Sequence, residues 1–360
     1  MPDEITHAII DPSVKTVRRR AFYNRWRWWQ YLSRQQLVSV IFHDGVEIIE
    51  KEAFYNCESL RGITLTGVKQ IGGGAFRDCR SLSGTIQLPV VREIGYGAFD
   101  GCFALSGVEF GDELETVGSH AFSGCGLRSI KMPTVRTVQH LAFAYCRQLT
   151  DVEFGSNLET VEISSFSGCE RLRRIAIPLK DDMLHRRYDE DGRELGRSFD
   201  QFNGCHNLTT VDLVGKIHNT ISSLLVQRWR DEIYQEIDRI NVTLPNTPAD
   251  EKTEAIRLWI RSVINTVEQY KAQHNTLLKE ECMPELVLAI WKATLDETGT
   301  EGDCNLREQT MIFKFLRLLK LAPMRSNAPD NDTESVRREK LITSGASVII
   351  KNVLPFLEFR

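Results

Sequence analysis

Seven of the nine cysteines in this chain stand three residues after a phenylalanine, and this F-x-x-C unit returns every 21 to 23 residues with one longer interval. The pairs are Phe54/Cys57, Phe76/Cys79, Phe99/Cys102, Phe122/Cys125, Phe143/Cys146, Phe166/Cys169 and Phe202/Cys205. Recurrence at such a period is the signature of a solenoid, because each unit is too short to bury its own apolar face and neighbours must stack into a continuous core. The constraint falls on architecture and leaves activity open.

From Leu60, one unit reads LRGITLTGVKQIGGGAFRDC, and the others superpose on it with small slips. A leucine opens each: Leu37, Leu60, Leu82, Leu105, Leu127, Leu149, Leu172 and Leu208. An aliphatic follows three residues later, or four at Ile86, and another apolar residue two beyond it, as in Ile63/Leu65, Val108/Phe110 and Val152/Phe154. That alternation predicts a short strand with one face inward. A second apolar pair comes next with helical spacing, for example Val46/Ile49, Val68/Ile71, Leu114/Val117 and Val135/Val138. The F-x-x-C turn then closes the coil.

Each residue type has a physical reason. Alanine before most of the phenylalanines is small because neighbouring coils must approach at about 4.8 Å. The ring fills the widest part of the interior, and its burial contributes roughly 1.5–3 kcal/mol per coil. A cysteine one turn further acts as a small, weakly polar filler. Glycines such as Gly72, Gly73 and Gly74, or Gly95 and Gly97, give the tight backbone turns.

The array starts before its first cysteine. Val14, Val17, Ala21 and Phe22 keep the register, with Arg25 in the cysteine position. Phe22 and Phe54 are 32 residues apart, so about ten residues are inserted around RWRWWQYLSRQQ, as an atypical end coil would allow. The interval from Phe166 to Phe202 holds KDDMLHRRYDEDGRELGR, which reads as a solvated loop.

The pattern L-x-x-I-x-[LF]…V-x-x-I-x-x-x-A-F-x-x-C-x-x-L resembles the BspA-type leucine-rich repeat over about residues 5–214. The resemblance implies an α/β repeat solenoid used for binding, a right-handed stack of short parallel strands with helical or irregular turns. Departures are Arg25 for cysteine, Ser165 and Gln201 for alanine, and Ser198 for an aliphatic, so the last coil is expected to be imperfect.

Composition agrees with a globular chain: 42% hydrophobic, 26% charged and a formal net charge of -4. That charge gives no global attraction to nucleic acid or anionic lipid. No run approaches the roughly 18 apolar residues of a membrane span, and the N-terminus lacks a secretory pattern, so an intracellular, cytoplasmic protein is expected. An odd cysteine count at repeat positions favours reduced thiols.

After Val214 the period becomes helical. Ile221, Leu225, Trp229, Ile233 and Ile240 lead to Pro245 and Pro248, and Ile256, Ile260, Val263, Val267, Tyr270, His274 and Leu277 step by four and three. The chain therefore divides into a solenoid at 1–214, with an atypical cap coil at 1–45 and a charged insertion at 179–198. A helical hairpin or coiled-coil module follows at 215–295, then short helices, a linker and a tail at 296–360. The first helix is expected to cap the open end of the solenoid.

Three candidate sites come from the residues. Outward positions between the inward aliphatics form a possible binding face of Thr64, Gln87, Glu109, Lys131, Glu153, Ala176 and Asp212. An N-terminal patch, Arg18, Arg19, Arg20, Arg25 and Arg27 interleaved with Trp26 and Trp28, has the guanidinium and aromatic chemistry of an anion site for nucleic acid or a membrane surface. Helix 253–279 is a possible self-association seam. The cysteine column has no C-x2-4-C ligand spacing, the histidines form no metalloprotease motif, and the glycine triplet lacks the lysine of a phosphate loop. No catalytic, cofactor or metal residue is expected, and the leading expectation is a non-enzymatic scaffold for protein partners.

Overall fold

The computed structural model describes residues 6–23, 37–185 and 200–278. Most coils contribute two strands, the coil opened by Leu60 having on the face only a bridge from Gly62 to Ser39, and every strand pairing is parallel. Along one face run β1 (His7–Ile9), β3 (Ser39–Ile41), β6 (Gly84–Leu88), β8 (Leu105–Phe110), β10 (Ser129–Met132), β12 (Asp151–Phe154), β14 (Arg174–Pro178) and β15 (Thr210–Val214). A second row stacks β2 (Thr16–Val17), β4 (Ile48–Ile49), β5 (Gln70–Ile71), β7 (Glu93–Ile94), β9 (Thr116–Val117), β11 (Thr137–Val138) and β13 (Thr160–Val161) into one sheet of seven.

This second row corrects the expectation drawn from the helical spacing of pairs such as Val135/Val138. A turn followed by a two-residue strand also separates two inward side chains by three positions. The inward residue of each strand is β-branched, as at Ile71, Ile94 and Val117, which suits a pleated surface. Coils approach closely behind this row: a Cβ at Gly72 would stand 2.6 Å from the backbone nitrogen of Lys51, and one at Gly118 2.4 Å from the Ile94 carbonyl oxygen.

The core is a ladder. Phe54 stacks on Phe76 at 5.1 Å with ring planes 1° apart, and the series continues through Phe99, Phe122, Phe143 and Phe166 to Phe202. Phe22 stacks on Phe54 at 4.8 Å, which makes their coils neighbours despite the insertion between them. The phenylalanine N–H donates to the carbonyl of the residue before the next phenylalanine, as from Phe99 to Ala121 at 2.7 Å. Each cysteine thiol donates at 3.2 Å to the phenylalanine carbonyl of the preceding coil, for instance Cys102 to Phe76. The cysteine is thus a directional donor as well as a filler. The F-x-x-C segment is a tight turn rather than a helix, with the Cys102 N–H bonded to the Phe99 carbonyl at 3.2 Å.

The long charged interval is partly structural. Met183 and Leu184 are buried, Leu184 bridges to Val161, and the Val161 N–H donates to the Met183 carbonyl at 2.8 Å. Residues 181–185 therefore extend the second sheet by an isolated parallel bridge, against the expectation of a wholly solvated loop. Residues 186–198 of that insertion, Ser198 among them, lie outside the described residues.

Beyond β15 come α1 (Ile217–Ser222), α2 (Gln227–Thr243), a single 3-10 turn at Leu244–Asn246 and α3 (Lys252–Leu277). Pro245 ends α2 as its missing N–H and ring geometry require. Residues 1–222 and 228–267 form one compact unit. Within it α2 and α3 make an antiparallel hairpin, with Trp259 Nε1 donating to the Glu236 carbonyl at 3.0 Å. Ile233, Ile237 and Ile240 of α2 are buried, as are Ile256, Ile260, Val263 and Val267 of α3.

Both helices of the hairpin close the last coil. Asn241 Oδ1 accepts the N–H of Val211 on the edge strand at 2.8 Å, and Lys252 Nζ donates to the His206 carbonyl at 3.0 Å and to that of Leu208. Arg257 is buried against the end of the second sheet. Its guanidinium reaches the carbonyls of Leu184 at 3.2 Å and His185 at 3.0 Å, Gln201 Oε1 at 2.9 Å, Asp200 at 3.3 Å and Glu254 at 3.2 Å. Gln201 can replace alanine because no further coil stacks over it, and its amide nitrogen donates to the carbonyls of Val161 and His185. The second unit includes 223–227 and the residues from 268 on. There the Leu225 N–H donates to Nδ1 of His274 at 3.2 Å, and burial holds the His274 imidazole below its ordinary pKa.

Candidate functional site

The two-residue period of the face strands turns one row of side chains outward. Register places Gln87 opposite Glu109, and Lys131 opposite Glu153, then Ala176, then Asp212. Thr64, Gln87, Glu109 and Lys131 are exposed, Glu153 and Asp212 are half-buried, and Ala176 is buried. The charges are already matched between coils. Gln87 Nε2 donates to Glu109 at 3.2 Å, Lys131 lies 3.3 Å from Glu153, and Arg174 lies 2.5 Å from Asp212. At the N-terminal end Ile9 and Ile41 occupy the same row in register, 78% and 58% exposed. The face thus grades from apolar to charge-paired along the stack. Sequence reasoning began this row at Thr64 and missed the two isoleucines, although the alternation in SVIFHDG and HAIIDP contains them.

The N-terminal patch is only partly within the described residues. Arg18, Arg19 and Arg20 are exposed. Arg20 is compensated: its Nε lies 2.5 Å from Glu52, holding that carboxyl below the usual range, and its guanidinium lies 5.2 Å from the centre of the Tyr23 ring. Arg25, Arg27, Trp26 and Trp28 lie outside the described residues.

On the turn side, Tyr96, His120 and His140 form a short tower with centroid distances of 5.4 and 5.8 Å. Burial lowers the His120 pKa despite the neighbouring Asp100 carboxylate, and burial raises that of Asp100 despite Arg77 at 3.2 Å. His140 Nδ1 lies 3.0 Å from the carbonyl of Ile163, an anchoring contact. A cavity of about 490 Å³ lies between residues 180–185 and α3, where Arg261 pairs with Asp181 at 3.1 Å and Asp182 at 3.2 Å.

The thiol column has the chemistry of a core. All seven described cysteines are buried and unpaired, and burial pushes Cys57 and Cys146 up to about 12. Among the described residues no group of three His, Cys, Asp or Glu side chains is placed to hold a metal ion, and no helix is long and apolar enough to cross a membrane.

A model of the BspA type leucine rich repeat region matches the chain in six copies over residues 30–90 and 69–183. Among solved structures, a leucine-rich repeat protein of T. pallidum is 25% identical, covers 49% of this chain and 69% of its own, and gives a TM-score of 0.34. One from Bacteroides ovatus is 26% identical over 50% of this chain and 61% of its own, with a TM-score of 0.29. A leucine rich cell surface protein from Faecalibacterium prausnitzii is 17% identical over 59% of this chain and 88% of its own, with a TM-score of 0.25. No curated protein matches the sequence.

Proposed function

Residues 30–183 are BspA-type leucine-rich repeats, and from that premise we propose that the chain is a non-enzymatic scaffold that binds a protein partner across the face strands. The observation that carries this reading is the outward row itself. Gln87 and Glu109 lie in register on one pair of parallel strands, and Lys131, Glu153 and Asp212 on a second set of four, with contacts between coils already made at Gln87–Glu109, Lys131–Glu153 and Arg174–Asp212. Such a surface is rigid and loses little conformational entropy on binding. Its internal pairing favours a partner that reads shape and hydrogen bonds over one that needs a net charge. Ile9 and Ile41 add an apolar anchor at one end, the kind of contact that carries much of an interface's energy.

The α2–α3 hairpin serves the solenoid as its end cap, so a docking or oligomerisation role rests on residues from 268 onward. Affinity capture with the full chain and with a Glu109→Lys, Lys131→Glu, Glu153→Lys variant tests the proposal. Loss of the same captured species from the variant is expected. Retention of every species would overturn the assignment of binding to this face.

A further inference from the structure

The third residue before each core phenylalanine forms an outward column on the turn side: Arg19, Lys51, Gly73, Tyr96, Ser119, His140 and Ile163. None of these positions is buried, and only Gly73 lacks a side chain. The missing side chain leaves a notch one coil wide, a cavity of about 390 Å³ with Gly73 and Gly74 as its floor and Lys51, Glu52, Tyr55, Arg77 and Tyr96 around it. Tyr55 is held in place by stacking on Tyr23 at 5.2 Å, while Tyr96 stands 57% exposed.

We propose that this notch receives one aromatic side chain of an acidic segment of a partner protein. The proposal rests on the scaffold reading above and adds a second contact, on the turn side. Consecutive coils place their core rings 5.1 and 5.2 Å apart, so one vacant layer has the thickness of one ring at stacking distance from Tyr96. The charge around the mouth sets what should flank that ring. Glu52 is engaged by Arg20 at 2.5 Å and Lys51 at 3.8 Å, and Arg77 is held by Asp100 at 3.2 Å. Arg18 and Arg19 make no ion pair among the described residues, which leaves a modest positive excess beside the notch. Two or three carboxylates complement that excess. A single-stranded nucleic acid fits less well, because the notch is one layer deep and holds one ring, whereas successive bases need a row of stacking platforms.

The test uses the full chain and fluorescein-labelled peptides read by anisotropy: Glu-Glu-Trp-Glu-Glu, the same peptide with alanine for tryptophan, Lys-Lys-Trp-Lys-Lys, and a thymidine decanucleotide. Gly73→Ile fills the notch with a side chain that the column already carries at Ile163, so its coil can accept it. A Cβ there would stand 3.3 Å from the Tyr96 carbonyl oxygen, a contact that small adjustment relieves. Tyr96→Ala removes the wall and covers the case in which Gly73→Ile does not fold. The acidic tryptophan peptide is expected to bind saturably below about 1 mM, and about tenfold more weakly when its tryptophan is alanine or when the protein is Gly73→Ile or Tyr96→Ala. Lys131→Glu, on the strand face, should leave it unchanged. Equal binding by Gly73→Ile and Tyr96→Ala, no saturation at that concentration, or preference for the lysine peptide or the oligonucleotide would overturn the proposal. Loss of binding with Lys131→Glu alone would overturn the notch and leave the strand-face reading standing.

Discussion

The backbone N–H of Phe202 donates to the side-chain hydroxyl of Thr253 at 3.1 Å. In the coils before it the equivalent N–H finds a carbonyl of the next coil, as from Phe143 to Ser165 at 2.8 Å and from Phe166 to Gln201 at 3.0 Å. Among the described residues no further coil follows, and the first turn of α3 supplies the acceptor instead. Asn241 does the same for Val211 on the edge strand, and Lys252 and Arg257 for the carbonyls of His206, Leu208, Leu184 and His185. The cap works by imitating the hydrogen-bonding groups of a coil, because a buried backbone group without a partner would be costly.

Thr253→Val keeps the shape and removes the acceptor. The Phe202 N–H then stays buried without a partner, at a cost of about 1–3 kcal/mol. Amide hydrogen exchange should show Phe202 losing protection in this variant while Phe122 keeps its own. Thr253→Ser, which retains the hydroxyl, should restore it. Unchanged exchange at Phe202 would mean that the hydroxyl is not the acceptor in solution.

Arg257→Ala should be the most damaging change in α3. It removes five hydrogen bonds at once and strands Gln201 Oε1 and two backbone carbonyls in a buried site. Removing one partner from a buried charged network costs about 3–5 kcal/mol. Arg257→Lys can replace at most part of the planar fork and should recover less than half of the loss. Urea denaturation followed by circular dichroism gives both values, and a loss under about 1 kcal/mol for the alanine variant would sink the account of the cap.

Phe122 is fully buried, with a ring stacked on each side, at 5.1 Å from Phe99 and 5.4 Å from Phe143. Phe122→Ala should cost about 3–5 kcal/mol. Phe22, in the first coil, is half-buried and stacks on Phe54, so Phe22→Ala should cost clearly less. Equal losses at both positions would show that the ladder does not set local stability.

The period, the phenylalanine register and the place of the first insertion were legible in the sequence because one side chain per coil must fill the same space in every layer. Strand alternation likewise marked Gln87, Glu109 and Lys131 as outward. The second sheet was misread from pairs such as Val68/Ile71, since a turn plus a short strand and a helical turn share the same spacing. Met183 and Leu184 were hidden inside a charged stretch that does not repeat. The cap residues carried no local signal at all: Arg257 finds its carbonyl partners 72 and 73 positions away, a contact that exists only once the chain has coiled. The notch was half visible, as a glycine triplet whose meaning depended on what the neighbouring coils place beside Gly73.

The thiol column makes the fold sensitive to alkali. Burial pushes Cys57 and Cys146 from the ordinary 9.0 up to about 12, and lifts Cys79, Cys125 and Cys169 well above 9.0. An acid whose folded pKa is raised stabilises the fold fully below its unfolded value, and that stability is lost as pH rises toward the folded value. Between about pH 9 and 12 the Cys57 and Cys146 thiols ionise only when the chain unfolds, which subtracts about 1.4 kcal/mol per thiol per pH unit beyond the unfolded value. Unfolding free energy should therefore fall steeply above pH 9, and Cys57→Ala with Cys146→Ala should make the slope shallower. The same burial should protect the thiols from alkylation at pH 8 until denaturant is added, leaving at most Cys282 and Cys304, outside the described residues, to react in the native chain. Rapid native labelling of Cys102 or Cys125 would show that the sulfur ladder opens to solvent and that the coils are not closed around it.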